Sequence, residues 1–369
     1  MIQRRKTQQI TVGNVKIGGT SPVSVQSMTK TDTKDVRATV SQIKRLEKAK
    51  CEIIRVAVKD METAESLRNI KDQISIPLVA DIHFDHKIAL KSIEQGVDGI
   101  RINPGNIGDK EKVREIIWAA KEKKIAIRVG VNSGSLEKKI LEKYGKASAE
   151  AMVESAFLNL ETFEEEGFRE VKVSLKASDV LRTIEAYRLF AKKSDLKASE
   201  GGGAPWPLHL GVTEAGTIFA GTIKSSIGIG VLLAEGIGDT IRVSLTGDPV
   251  DEVRAGYAIL KALKLREEGI DLVSCPTCGR CQIDVERIAT EVEKKLSHVR
   301  APLHVAVMGC VVNGPGEAKD AHVGIAGGTG EGLLFREGKI IKKVNEKDLV
   351  DAIVDEVEKL AGERKPGGK

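Results

Sequence analysis

Three cysteines carry the clearest chemical signal in the chain. Cys275-Pro276-Thr277-Cys278 is a C-x-x-C, Cys281 follows three residues later, and Cys310 closes the run Met308-Gly309-Cys310. Two thiolates two residues apart can grip one metal or cluster from a tight turn, which Pro276 and Gly279 suit. A third thiolate beside the loop Asn313-Gly314-Pro315-Gly316-Glu317 closes the site. Glycines there let backbone approach a bulky cofactor and donate N–H groups to its sulfurs. Zinc usually takes four ligands, often as two C-x-x-C pairs. Here the second pair is missing, and no histidine stands at pair spacing from Cys310. The spacing favours an iron–sulfur cluster, with zinc and a thioredoxin-like redox pair as open alternatives. Cys281 is either a fourth ligand or a residue packed at the start of the next helix. Cys51 reads as a buried small hydrophobe.

A second set of residues is cationic. Arg55, Arg101, Arg128, Lys176 and Arg242 fall in β-type segments, with Asn132 and Ser244 as neutral donors nearby. Guanidiniums grip phosphate oxygens in pairs and never lose their charge. Each arginine alone reads equally well as half of an ion pair. Five cations with few acids read as an anion site. Asp81, His83, Asn103, Thr213 and Glu214 stand at segment ends as further polar candidates.

The elements that must position these residues follow from periodicity. Short β-type segments run over Val23–Met28, Glu52–Val58, Leu78–Phe84, Gly99–Gly105, Ala126–Ser133, Val171–Ser178, Leu208–Gly216 and Thr240–Gly247. Helical stripes lie between them, as in Val36, Val40 and Ile43, in Val113, Ile116, Ile117 and Ala120, and along Asp248–Leu265. Eight strand–helix units predict an α/β fold, a (β/α)₈ TIM-type barrel over residues 1–265. A doubly wound sheet is the rival. Lys172, Ser174 and Lys176 alternate along one segment, as do Arg242, Ser244 and Thr246, so one strand face points these groups into the barrel. Gly201–Gly203 with Pro205 and Pro207 reads as a flexible loop.

Residues 266–369 predict a small α+β domain. It has a helical stripe Val285, Ile288, Val292 and Leu296, a strand Leu303–Met308 and a hairpin Leu333–Val344 turning at Glu337-Gly338. A last helix, capped by Asn345, presents Leu349, Ile353, Val357 and Leu360.

Composition excludes several classes. The net charge is +5 from 58 basic and 53 acidic residues, without a block of one sign, so a nucleic-acid stripe is poorly supported. Aromatic residues make up 3%, which removes base-stacking platforms. No apolar run suits a signal peptide or a membrane span. A cytoplasmic protein is expected, in which clustered cysteines read as metal ligands before disulfides.

Taken together, the motifs resemble one family. They are Val79-Ala80-Asp81-Ile82-His83-Phe84, Arg101-Ile102-Asn103-Pro104-Gly105-Asn106, Arg128-Val129-Gly130-Val131-Asn132-Ser133-Gly134 and Gly211-Val212-Thr213-Glu214-Ala215-Gly216. Ser274-Cys275-Pro276-Thr277-Cys278-Gly279-Arg280 and the run Met308 to Glu317 complete the set. The chain resembles the 4-hydroxy-3-methylbut-2-en-1-yl diphosphate synthases of the non-mevalonate isoprenoid pathway, in their short two-domain form. The resemblance implies a [4Fe–4S] cluster on Cys275, Cys278, Cys310 and Glu317, with Cys281 not a ligand. It implies reductive ring opening and dehydration of 2-C-methyl-D-erythritol 2,4-cyclodiphosphate, with ferredoxin or flavodoxin as electron donor. Within it, Arg55, His83, Arg101, Arg128, Asn132, Lys176, Arg242 and Ser244 bind substrate, and Glu214, Asn313 and Glu317 serve the chemistry. It also implies a homodimer whose site is shared between subunits. A pterin-dependent methyl transferase or a zinc-stabilised binding module explains only half of these features each.

Overall fold

The computed structural model describes residues 2–82, 84–267, 269–310 and 320–364. The chain divides into two compact units, Met1–Arg266 and Glu267–Lys369.

The first unit opens with an antiparallel hairpin, β1 (Ile10–Val12) and β2 (Val15–Ile17). Eight parallel strands follow: β3 (Ser24–Met28), β4 (Ile53–Ala57), β5 (Leu78–Asp81), β6 (Gly99–Ile102), β7 (Ala126–Asn132), β8 (Val171–Lys176), β9 (His209–Leu210) and β10 (Thr240–Ile241). Their order is β8-β7-β6-β5-β4-β3-β10-β9, and a parallel bridge from Val173 to Leu208 joins the two ends. The sheet is therefore a closed barrel, which excludes the doubly wound alternative. Outward strand residues such as Ile54, Val56, Ile100 and Ile127 pack against surrounding helices in one large core. The helices start where short polar side chains can cap them. Asp35, Asp60, Asp85, Asp109, Asp179 and Asp248 each accept a backbone N–H from the first turn of the helix that follows. The first hairpin lies across the N-terminal ends of the strands. Its Ile10, Val12 and Ile17 form one apolar cluster with Ile53, Val79 and Ala126.

Three expectations change. The segments Leu208–Gly216 and Thr240–Gly247 hold only two strand residues each. A Cβ on Gly211 would stand 2.5 Å from the Arg242 carbonyl and 2.6 Å from Lys176 Nζ, so the chain is bare there to admit a cation. Beyond it Glu214 (φ 53°) and Gly216 (φ 111°) turn the backbone out of extended geometry. Next, Gly201–Gly203 is no loose loop: the helix Val180–Lys197 continues into a π-helical turn, Ala198–Gly202. Arg169 donates to the Gly202 carbonyl, and Trp206 is buried against Phe157 and Phe190. Finally, Asn103 does not continue its strand, because Pro104 cannot donate to the ladder and instead opens the short helix Pro104–Ile107.

The second unit is a five-stranded sheet in the order β11 (Ile270–Ser274), β12 (Leu303–Met308), β13 (Val323–Gly328), β14 (Glu331–Arg336), β15 (Lys339–Asn345). The first three strands are parallel, and the last two form a hairpin turned by Glu337 and Gly338, both at positive φ. Helices Val285–Lys295 and Leu349–Glu363 bury Ile288, Val292, Ile353 and Val357 in its core. Asn345 precedes a 3₁₀ turn, Glu346–Asp348, instead of capping the last helix, and its side chain makes no cap bond. Among the described residues no helix is long and apolar enough to cross a membrane.

Candidate active site

Strand register sets the barrel interior. Stepping one residue per strand around the closed ring groups the inward side chains into layers of four from alternate strands. From the hairpin end upward, one layer is Lys172, Gly99, Ile53 and Thr240. The next is Arg128, Val79, Gln26 and His209. Above it lie Ser174, Arg101, Arg55 and Arg242, then Gly130, Asp81, Met28 and Gly211, and finally Lys176, Asn103, Ala57 and Ser244. Such interiors are ordinarily filled with Val, Ile and Leu. Here Arg55, Arg101, Arg128, Lys172 and Lys176 are all buried.

Acids answer part of this charge. Asp81 lies 3.6 Å from Arg55 and 3.3 Å from Arg101. Glu252, on the helix Pro249–Ala262, lies 3.7 Å from Arg242 and 3.3 Å from Lys30. It also accepts from Ser27 and from the Leu245 backbone N–H. Arg128 Nε and Nη1, Lys172 Nζ and Gln26's amide have no hydrogen-bond partner among the described residues. Burial, then the neighbouring cations, hold Arg128 and Lys176 well below their ordinary pKa values. Burial likewise lowers Arg55 to about 10, with Asp81 opposing the shift. Buried unpartnered donors cost about 1–3 kcal/mol each, so this interior is built for an anion. Gly130 makes room for the Arg101 guanidinium: a Cβ there would stand 2.5 Å from its Nε.

Asn132 and Ser244 sit half-buried at the C-terminal strand ends. Glu214 is exposed on the loop after β9, held at φ 53°. A non-glycine residue in that region stores strain, which recurs at functional sites. His83 lies outside the described residues.

The second cluster lies in the C-terminal unit. Parallel pairing of Ser274 with Val307 brings the ends of β11 and β12 side by side. Cys275, Cys278, Cys281 and Cys310 then line one open cavity of about 370 Å³. Gly309 N–H donates to Cys275 Sγ at 3.2 Å. A Cβ on Gly309 would stand 2.3 Å from Cys281 Sγ, so only glycine lets the sulfurs gather. Cys281 donates its thiol proton to the Ile283 carbonyl at 3.1 Å, which ties it to the backbone. The backbone N–H of Arg280, then its side chain, lowers the Cys278 pKa. A thiolate is what a metal needs. Among the described residues no three His, Cys, Asp or Glu side chains already stand together as an ion-holding group. The rim offers soft sulfur donors suited to iron–sulfur or zinc. Asn313 and Glu317 fall outside the described residues. Cys51 is buried in the barrel unit, and burial pushes its thiol up to about 12, as expected of an inert core thiol.

Comparison with known proteins agrees along the whole length. A family model described as the GcpE TIM-barrel domain matches residues 7–257, and another, the GcpE protein C-terminal domain, matches residues 271–359. The chain belongs to the GcpE family. A relative from Geobacter sulfurreducens is 60% identical over 98% of this chain and 99% of its own. One from Caldanaerobacter subterraneus is 59% identical over 98% of this chain and 100% of its own. Both are named 4-hydroxy-3-methylbut-2-en-1-yl diphosphate synthase (flavodoxin). Among solved structures, the dihydropteroate synthase of Yersinia pestis in a sulfonamide complex is 13% identical, with a TM-score of 0.48, over 70% of this chain and 100% of that one. That of Stenotrophomonas maltophilia is 12% identical, with a TM-score of 0.49, over 70% and 98%.

Sequence reasoning about this GcpE chain left several site residues unassigned. Lys172 stood in the alternating run but was given no role. His209, Gln26, Lys30 and Glu252 carried no pattern of their own. Glu252 sits in a helical stretch where a carboxylate ordinarily faces water, and only the fold turns it inward.

Proposed function

We propose that the chain reduces 2-C-methyl-D-erythritol 2,4-cyclodiphosphate to (E)-4-hydroxy-3-methylbut-2-enyl diphosphate. The observation that carries this reading is the stack of buried cations in the barrel, too rich for its two acids and matched in charge to a diphosphate. The reaction opens the ring at a C–O bond and takes in two electrons and two protons, counting the acids as neutral. One water leaves.

Arg55, Arg101, Arg128, Lys176 and Arg242 hold the diphosphate, with Asn132 and Ser244 as neutral donors and His83 near the diol. Glu214, on its strained loop at the barrel mouth, delivers the proton that lets the hydroxyl depart as water. Asn313 orients the substrate beside the thiols. Cys275, Cys278, Cys310 and Glu317 would hold a [4Fe–4S] cluster; the cysteines lining one cavity, the bare Gly309 and the lowered Cys278 fit that role. When bound, the cluster supplies electrons one at a time. A flavodoxin, which the relatives' enzyme name specifies, is the donor, and a ferredoxin is its alternative. We place the protein in the cytoplasm as a homodimer with a shared site, without nucleic-acid or membrane partners. Domain roles follow: residues 1–265 bind substrate and 266–369 carry the cluster.

The test is anaerobic purification, a visible spectrum, then the cyclodiphosphate with a strong one-electron reductant. A brown protein that forms the linear diphosphate is expected. A colourless zinc protein overturns the reading. Glu317→Cys should keep the colour and lose most turnover. Mixing Arg128→Met and Cys310→Ser subunits should restore part of the activity if the site is shared.

A further inference from the structure

The lowest layer of the barrel lies beneath the arginines assigned to the diphosphate, and its Lys172 has no role in the reaction as proposed. Lys172 is 2% exposed, and its Nζ has no hydrogen-bond partner among the described residues. The register sets it directly beside Arg128. One layer up, both ring nitrogens of His209 and both amide atoms of Gln26 are likewise buried without partners. Below lies the apolar cluster of the first hairpin, with Ile10, Val12 and Ile17.

Among the described residues no carboxylate pairs with the ammonium in this position. The charged groups acting on it are Arg128 on β7 and Arg55 on β4, with Arg101, Arg242 and Lys176 in the layers above. His209 faces it from β9 and Gln26 from β3. The carboxylate inside the barrel, Asp81 on β5, is two layers above Arg128 and already meets Arg55 and Arg101. Glu252 already meets Arg242 and Lys30. Unpaired buried charge is expelled by losing its proton. A dianion entering from above reverses that balance.

We propose that Lys172 is the deepest group of the anion site, neutral in the free barrel and protonated when a diphosphate binds, so that the ligand brings a proton in with it. The proposal rests on the diphosphate reading above. Burial first, then Arg128 and Arg55, bring the Lys172 pKa down to about 7, so the resting amine is mostly neutral at pH 8. Burial, Arg128, Lys176 and Lys172 keep His209 well below its ordinary value, so it stays neutral and serves as a wall. Charge compensation of this kind uses a titratable lysine where an arginine would stay charged at rest.

The experiment is calorimetric titration of the full-length protein with inorganic pyrophosphate at pH 8, in two buffers of different ionisation enthalpy. The wild type is expected to take up more protons per bound pyrophosphate than Lys172→Met, by up to one. Lys172→Met should bind about ten- to hundred-fold more weakly at pH 7. Lys172→Arg should restore affinity without the extra proton, which a merely structural role would not produce. Equal proton uptake by wild type and Lys172→Met overturns the proposal, as does a wild type that binds no pyrophosphate. Turnover of the cyclodiphosphate separates the two readings. A wild type that turns it over, with uptake independent of Lys172, sinks the lysine's role alone. Lys172-dependent uptake without turnover sinks the substrate assignment alone.

Discussion

The barrel and the C-terminal unit both put functional groups at parallel strands, yet they treat solvent in opposite ways. In the barrel, strand register buries the cations in tiers, so their positions are fixed before any ligand arrives. In the C-terminal unit, the sulfurs stand at strand ends around an open cavity, and Cys278 is exposed. A buried charge is held by neighbours on every side and loses stability until an anion answers it. A thiol rim that is to take a metal must stay reachable. Preorganisation thus belongs to the barrel cations and accessibility to the thiols.

The bluntest way to break this contrast is to remove a sulfur. Cys275→Ser and Cys310→Ser should abolish both colour and turnover, while Cys281→Ser, whose thiol is spent on the Ile283 carbonyl, should keep both. Visible spectra and product assays decide it. Loss of colour in Cys281→Ser would make that residue a ligand after all. Next in size is Glu214→Gln, for which turnover should fall about 10²–10⁴-fold, as for a lost general acid, with pyrophosphate binding unchanged. Weakened binding would instead move Glu214 into the anion site.

The fixed charges make a stability prediction. Lys172 has a folded pKa near 7, below its unfolded value, so the unfolded chain binds the extra proton between those two values. Stability should rise with pH over that window, and the cost should be full below pH 7. Lys172→Met should therefore raise the melting temperature of the ligand-free protein, most at pH 7 and below, with the gain fading toward pH 10. Each kcal/mol is roughly 2–4 °C at this size. A destabilised variant would mean that the amine is paired in the free state. The smallest effect belongs to Cys51. In metal-free protein an alkylating reagent should modify Cys278 first and leave Cys51 untouched until unfolding, as mass spectrometry would read.

Much of this was legible in residue order. Alternation along Lys172–Lys176 gave the inward face, and the C-x-x-C with Cys310 gave the sulfur rim, because both depend on spacing within one segment. The tiers were not legible, since they depend on the stagger between strands, which a single segment does not carry. Nor was the brevity of β9 and β10, because the same apolar-rich residues suit a strand until a neighbour's lysine occupies the space beside Gly211. In the C-terminal unit β11 and β13 escaped notice. The first is only half-buried and carries Asp271, and the second is rich in glycine, so neither shows a run of apolar residues.

The hairpin of Ile10, Val12 and Ile17 covers the N-terminal end of the barrel with an apolar cluster. A molecule that enters at the C-terminal strand ends is then expected to leave by the same end. Product and substrate therefore exclude one another strictly, and a steady-state analysis should find the linear diphosphate purely competitive with the cyclic one. The rate of turnover under saturating reductant then has an upper bound set by how fast that single mouth empties.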